Sequence, residues 1–292
     1  MRLEDDRGSI DVPGGRVRYW IAGKGAGIPL LTLHGGPGMP SDYLSTLESL
    51  CNERRVIFYD QLGCGQSDKP ADVKLWRLER FVEELRQVRA ALGLDRFHLF
   101  GHSWGSMLGL EYALGRPPGL ASLVLAGPCL SVRRWLEDVE RYRAALPEQI
   151  QRTLDEHETA GTTGSPEYEA AAMVFYKRHF CRLDPWPATV QRTWDRIGNS
   201  VYVTMWGPSE FTQTGNLRSY ERVDRLHEIR IPTLFTCGRY DEASPEATAL
   251  YAKEVVGAEK VIFEESSHTP HVEEEPRYVQ TIRGFLRRAE HR

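Results

Sequence analysis

The stretch Phe97-His98-Leu99-Phe100-Gly101-His102-Ser103-Trp104-Gly105-Ser106-Met107-Leu108-Gly109-Leu110-Glu111-Tyr112-Ala113-Leu114 decides the fold. Its first four residues are a short apolar run closed by glycine, the pattern of a strand buried on both faces of a parallel sheet. Residues 104–114 are helix-like. Between them stands Gly101-His102-Ser103-Trp104-Gly105, a G-x-S-x-G. Two glycines at that spacing permit a strand-to-helix turn so tight that the central serine projects from the sheet edge in a strained backbone conformation. The five-residue pattern alone is a weak signal, and the flanking strand and helix give it weight.

Working outward, the same alternation recurs. Residues 9–12 and 16–21 read as an antiparallel strand pair around the turn at Pro13-Gly14-Gly15, and short apolar runs follow at 30–33, 56–59, 97–100 and 123–126. Helix-like segments at 41–50, 75–92 and 104–114 lie between them, which predicts an α/β, mostly parallel, doubly wound sheet. From 131 to 220 the alternation stops. Segments 132–145, 167–180 and 188–197 are Arg- and Glu-rich and helix-like, separated by prolines and by Gly161-Thr162-Thr163-Gly164-Ser165-Pro166. Strand-like runs return at 233–236 and 261–263, each followed by a helix-like stretch, 245–255 and 276–289. The expected organisation is therefore a core of residues 1–130 and 221–292 with a helical cap, 131–220, inserted over the strand ends.

Composition narrows the partners. Lys and Arg total 37 against 41 Asp and Glu, a net charge of −4, with the positive residues scattered, so an electrostatic nucleic-acid binder is not expected. No stretch approaches the roughly 18 consecutive apolar residues of a membrane span. The start, Met1 to Gly15, is acidic and polar where a signal peptide is basic then apolar, which places the expected location in the cytoplasm. Five cysteines without a C-x-x-C pair indicate neither a disulfide framework nor a zinc site, and no feature names an oligomeric partner.

A serine hydroxyl is a poor nucleophile at neutral pH and needs a base within hydrogen-bond reach, held in the right tautomer by a carboxylate. In elbow-type enzymes these follow in the order serine, acid, histidine. After the strand-like Ile231 to Thr236, Cys237-Gly238-Arg239-Tyr240-Asp241-Glu242 offers Asp241 as the acid, with Glu242 as its rival. The next strand-like run opens into Ser266-Ser267-His268, which offers His268 as the base. His271 is the alternative, three residues further on and beyond Pro270. His34, His98 and His102 read as structural histidines, and Asp60 as an anchor for the loop 61–68. Glycines in Leu33-His34-Gly35-Gly36-Pro37-Gly38 let the backbone approach a bound carbonyl, so the N–H groups of Gly36 and of Trp104, the residue after the serine, are the candidate oxyanion donors. Gly35 then lies against the substrate.

With HGGPG (34–38), FYDQLGCGQSD (58–68), GHSWGS (101–106), GRYDE (238–242) and SSH (266–268) in this order, the chain resembles the proline iminopeptidase family of α/β-hydrolases. The resemblance spans about 10–285. It is strongest to the tricorn-interacting-factor type of aminopeptidase, through Asn199-Ser200-Val201-Tyr202 and Gly207-Pro208-Ser209-Glu210-Phe211-Thr212-Gln213-Thr214-Gly215. It implies the α/β-hydrolase fold, with Ser103, Asp241 and His268 as the catalytic residues and Gly36 and Trp104 as the oxyanion donors. It further implies that Glu210 and Glu242, with Tyr202 nearby, bind the free amino terminus of a short peptide or aminoacyl small molecule. An ammonium buried beside a reacting carbonyl needs such countercharge. No metal or organic cofactor is called for. The rival readings are an amino-acid amidase or an esterase or lactonase with the same residues, and a non-catalytic small-molecule receptor on this fold.

Overall fold

The computed structural model describes residues 6–291. Strands β1 (Asp6–Val12) and β2 (Gly15–Leu33) form the antiparallel pair, in register from Asp6 with Ile21 to Val12 with Gly15. β2 is one long run where the sequence suggests two strands, because it doubles back around β3 (Arg54–Asp60). Ile57 faces both Ile21 and Leu31, and Val56 faces both Ala22 and Leu30. Then come β4 (Phe97–His102), β5 (Leu120–Ala126), β6 (Thr233–Gly238) and β7 (Glu259–Phe263), all parallel, with β4 beside the last residues of β2.

The helices follow their burial patterns. α1 (Leu78–Ala91) leads to α2 (Trp104–Leu114), which is buried on nearly every side and sits within the core. α8 (Pro245–Glu254) and, after the short α9 (Pro270–Glu273), α10 (Glu275–Glu290) cover the sheet. α10 presents Tyr278, Val279, Ile282, Phe285, Leu286 and Ala289 inward on one stripe. The segment Ser41–Leu50, helix-like in sequence, is a 3-10 helix, and α1 begins at Leu78, after a separate turn at Val73–Leu75.

Between β5 and β6 lie α3 (Val132–Ala144), α4 (Glu148–Ala160), α5 (Pro166–His179), α6 (Ala188–Trp194) and α7 (Asn199–Met205). α5 starts with Ser165 accepting the Tyr168 N–H and proline at its first position, both favourable helix starts. The sequence patterns do not mark α4, which buries Leu154 alone and so shows no apolar period. The chain leaves and re-enters the sheet region at one point. The Val132 N–H donates to Tyr220 O at 3.0 Å, the Arg222 N–H to Leu130 O at 3.0 Å, and the Ser131 hydroxyl to Glu221 at 2.6 Å. Among the described residues, no helix is long and apolar enough to cross a membrane.

Candidate active site

Parallel strands bring their C-terminal ends to one side of a sheet, and the loops there form the cleft. Gly35 and Gly36 follow β2, Ser103 follows β4, Asp241 follows β6 and His268 follows β7. Ser103 has φ 54° and ψ −121°, a strained conformation for a residue with a side chain. It is held by its own N–H to Ala126 O at 2.9 Å and by the Ser106 N–H to its carbonyl at 2.7 Å. The glycines of the motif are steric requirements. A Cβ on Gly101 would lie 2.1 Å from Gly105 O, and one on Gly105 2.3 Å from Leu33 O. The Trp104 N–H opens α2, so it has no partner within the helix. Neither it nor the Gly36 N–H makes a hydrogen bond among the described residues.

Asp241 is fully buried. Its Oδ1 accepts the His268 Nδ1–H at 2.6 Å and the Ala243 N–H at 2.7 Å, and its Oδ2 accepts the Gly238 N–H at 3.3 Å. Since a carboxylate only accepts, His268 carries its proton on Nδ1 and turns Nε2 toward the cleft. Among the described residues the Ser103 hydroxyl makes no hydrogen bond to that nitrogen. In unliganded sites such contacts are often long and tighten on substrate binding.

A chain of buried hydrogen bonds ties three of these loops together. The Gly35 N–H donates to Tyr43 Oη at 2.8 Å, Tyr43 and His102 Nδ1 are 2.7 Å apart, and His102 Nε2 lies 2.8 Å from His268 O. A carbonyl cannot donate, so His102 carries its proton on Nε2, and Tyr43 must then donate to Nδ1. Burial, then the nearby His268 and His271, hold the His102 pKa well below the usual histidine value, which fits a neutral ring. Sequence reasoning missed Tyr43, since nothing in its local pattern marks it. A second tie runs from α5. The His179 carbonyl accepts both the His268 N–H at 3.1 Å and the Glu242 N–H at 3.3 Å.

The remaining candidates divide by place. His271 is buried against Tyr43 and His102, with its pKa pushed down to about 3 by burial and then by His268, and it does not line the cleft. His34 donates to Gly35 O and accepts the Gln61 N–H. His98 bonds Ser122 and Glu290. Asp60 accepts from Ser41 and from the Gln66 N–H, bracing the loop behind β3.

The cleft is a cavity of about 360 Å³ that Gly35, Gly36, Ser103 and His268 share with Tyr202, Glu210 and Glu242. Met173, Tyr176, Phe180 and Trp194, from and near α5 and α6, form its apolar wall and were not legible in the sequence. A second space of about 10 Å³, room for about one water, lies beside Ser103 and Trp104 between Trp135 and Trp206. Glu210 accepts the Tyr202 hydroxyl at 2.5 Å, and burial raises its carboxyl pKa to about 7 against that bond. Glu242 is buried, with Oε1 3.7 Å from His268 Nε2 and Oε2 without a hydrogen-bond partner among the described residues. Burial, then Glu210 and Asp241, push its carboxyl well above the usual glutamate value. Among the described residues, no cluster of His, Cys, Asp and Glu has the geometry of a metal site.

Residues 28–275 match the profile of the alpha/beta hydrolase fold family. The chain is 45% identical to a proline iminopeptidase of Heyndrickxia coagulans over 281 residues, covering 96% of this chain and 98% of that protein. Among solved structures it superposes on VinJ with a TM-score of 0.94 at 38% identity, covering 97% of this chain and 99% of the other. It superposes on the proline iminopeptidase of Mycobacterium smegmatis with a TM-score of 0.90 at 34% identity, covering 97% and 98%.

Proposed function

The chain belongs to the proline iminopeptidase family of α/β-hydrolases, and on that premise we propose that it is a serine aminopeptidase removing the N-terminal residue of short peptides or aminoacyl amides. Ser103 attacks the carbonyl, His268 takes its proton and passes it to the leaving amine, and water hydrolyses the acyl-enzyme. Asp241 holds His268 in its tautomer, and the N–H groups of Gly36 and Trp104 receive the oxyanion. The helical block 131–220 acts as a cap that admits small substrates and shields the acyl-enzyme from water.

The observation that carries this reading is the pair Glu210 and Glu242 in the same cavity as Ser103 and His268, with the buried Glu242 Oε2 left without a hydrogen-bond partner among the described residues. An α-ammonium supplies that partner. An acylated or internal residue leaves both acids facing no cation, which costs about 3 kcal/mol or more. N-acetylation of an aminoacyl p-nitroanilide should therefore lower kcat/KM at least about a hundredfold. Ser103→Ala should abolish turnover and keep the melting temperature. Equal rates for the free and acetylated anilides, or aminopeptidase activity retained in Ser103→Ala, would refute the assignment.

A further inference from the structure

Amine recognition and base catalysis meet at one contact. His268 Nε2 must receive the serine proton, because Nδ1 donates to Asp241. Yet the charged group that this nitrogen meets in the structure is Glu242, at 3.7 Å, with both side chains shut away from solvent. The charged and titratable groups around the pair include Asp241 on its own loop, Glu210, Tyr202 and Tyr176 from the inserted block, Cys129 after β5, His102 from the elbow and His271 from α9. The rings of Trp135 and Phe180 close off His268. No Lys or Arg among the described residues lines the cavity, so none of them stands in for a bound ammonium. Carboxylates gathered in a buried site do not all ionise, and a proton resting between Glu242 and Nε2 relieves that crowding.

We propose that Glu242 is an amine-operated gate on the catalytic base: in the empty site it shares a proton with His268 Nε2 in competition with Ser103, and the substrate's ammonium, by pairing with Glu242, frees Nε2 for the serine. The inference rests on the amine-clamp reading of the same site. The protons balance on either route. An amine that enters neutral takes the shared proton and becomes the ammonium; one that enters charged sends that proton to water. Both routes leave an ionised Glu242 against the ammonium and a lone pair on Nε2. The Ser103 hydroxyl proton then moves to Nε2 as the bond from Oγ to the carbonyl carbon forms. The gate works by charge and not by loop movement, since the His179 carbonyl pins the N–H groups of both residues. A substrate without an amine is consequently slow in kcat and not merely weak in binding.

The test is hydrolysis of p-nitrophenyl propionate, an ester with no amine, by the full-length enzyme with and without methylammonium chloride, using tetramethylammonium chloride as the salt control. Methylammonium should raise kcat by about fivefold or more, the usual scale of coupling between two sites. In Glu242→Ala the ester should turn over at least as fast as in the stimulated wild type, with no response to methylammonium, while the aminoacyl anilide loses about a hundredfold in kcat/KM. Glu242→Met, which is close in volume and has no N–H or O–H to place on Nε2, carries the same expectation if the alanine variant does not fold. Two results overturn the gate and spare the clamp: wild-type ester hydrolysis indifferent to or inhibited by methylammonium while the anilide stays sensitive to N-acetylation, or ester and anilide activity lost together in a variant with an unchanged melting temperature. Equal rates on free and acetylated anilides overturn both.

Discussion

Asp241→Asn isolates what the buried carboxylate contributes to the base. Oδ1 receives two donors at 2.6 and 2.7 Å, whereas Oδ2 receives one at 3.3 Å. An asparagine that placed its NH2 at Oδ1 would oppose two donors at close range; at Oδ2 it opposes one distant donor. The amide oxygen therefore stays toward His268 and the Nδ1–H tautomer survives. What disappears is the negative charge beside the imidazolium that forms as the serine proton is taken. With charge centres about 4 Å apart and an effective dielectric constant near 20, that charge is worth ~4 kcal/mol. Since each 1.36 kcal/mol is tenfold, kcat on an aminoacyl p-nitroanilide should fall by about 10³. KM should stay near the wild-type value, because the amine and carbonyl sites are untouched. Proton NMR should still show a downfield Nδ1–H resonance from His268. A fall smaller than about tenfold would refute the role given to the carboxylate. Loss of the resonance would show that the amide turns the other way, and the deficit should then approach the roughly 10⁴ of a wrong tautomer.

Tyr43→Phe keeps the ring and deletes one hydroxyl, leaving the Gly35 N–H and His102 Nδ1 without their partner. Each orphaned buried group costs about 1–3 kcal/mol, so urea unfolding should show a loss within or above that range, and an unchanged midpoint would count against the hydrogen-bond chain. For pH, burial raises the Glu210 carboxyl to about 7, and a protonated carboxyl cannot pair an ammonium. The kcat/KM of a free-amine substrate should therefore rise as pH increases through that value, and Glu210→Gln should lose this limb. Stability runs the opposite way. The folded pKa lies above the unfolded one, so the contribution of Glu210 is fully present below the ordinary glutamate range and is lost as pH rises through about 7. Denaturant midpoints across that window should fall in the wild type and fall less in Glu210→Gln.

Strand and helix periodicity, turn glycines and the order of polar residues at strand ends are local properties, and the primary structure carried them. The alternation from 97 to 126 specifies a parallel sheet, because a strand covered on both faces must be apolar throughout. The glycines on either side of Ser103 told of a tight turn, because no side chain fits there. The polar helix α4, which buries Leu154 alone, and the doubling of β2 around β3 left no such trace. Nor could spacing place His271, three residues from His268, in the core against Tyr43 and His102. The approach of Glu242 to Nε2 is a property of two loops at the ends of different strands. Their separation is set by the pairing of β6 with β7 and by one carbonyl of α5 that holds both backbones. Distances across loops arise only when all the packing contacts are satisfied together, which is why the residue types were readable from the chain and their mutual chemistry was decided by the tertiary structure.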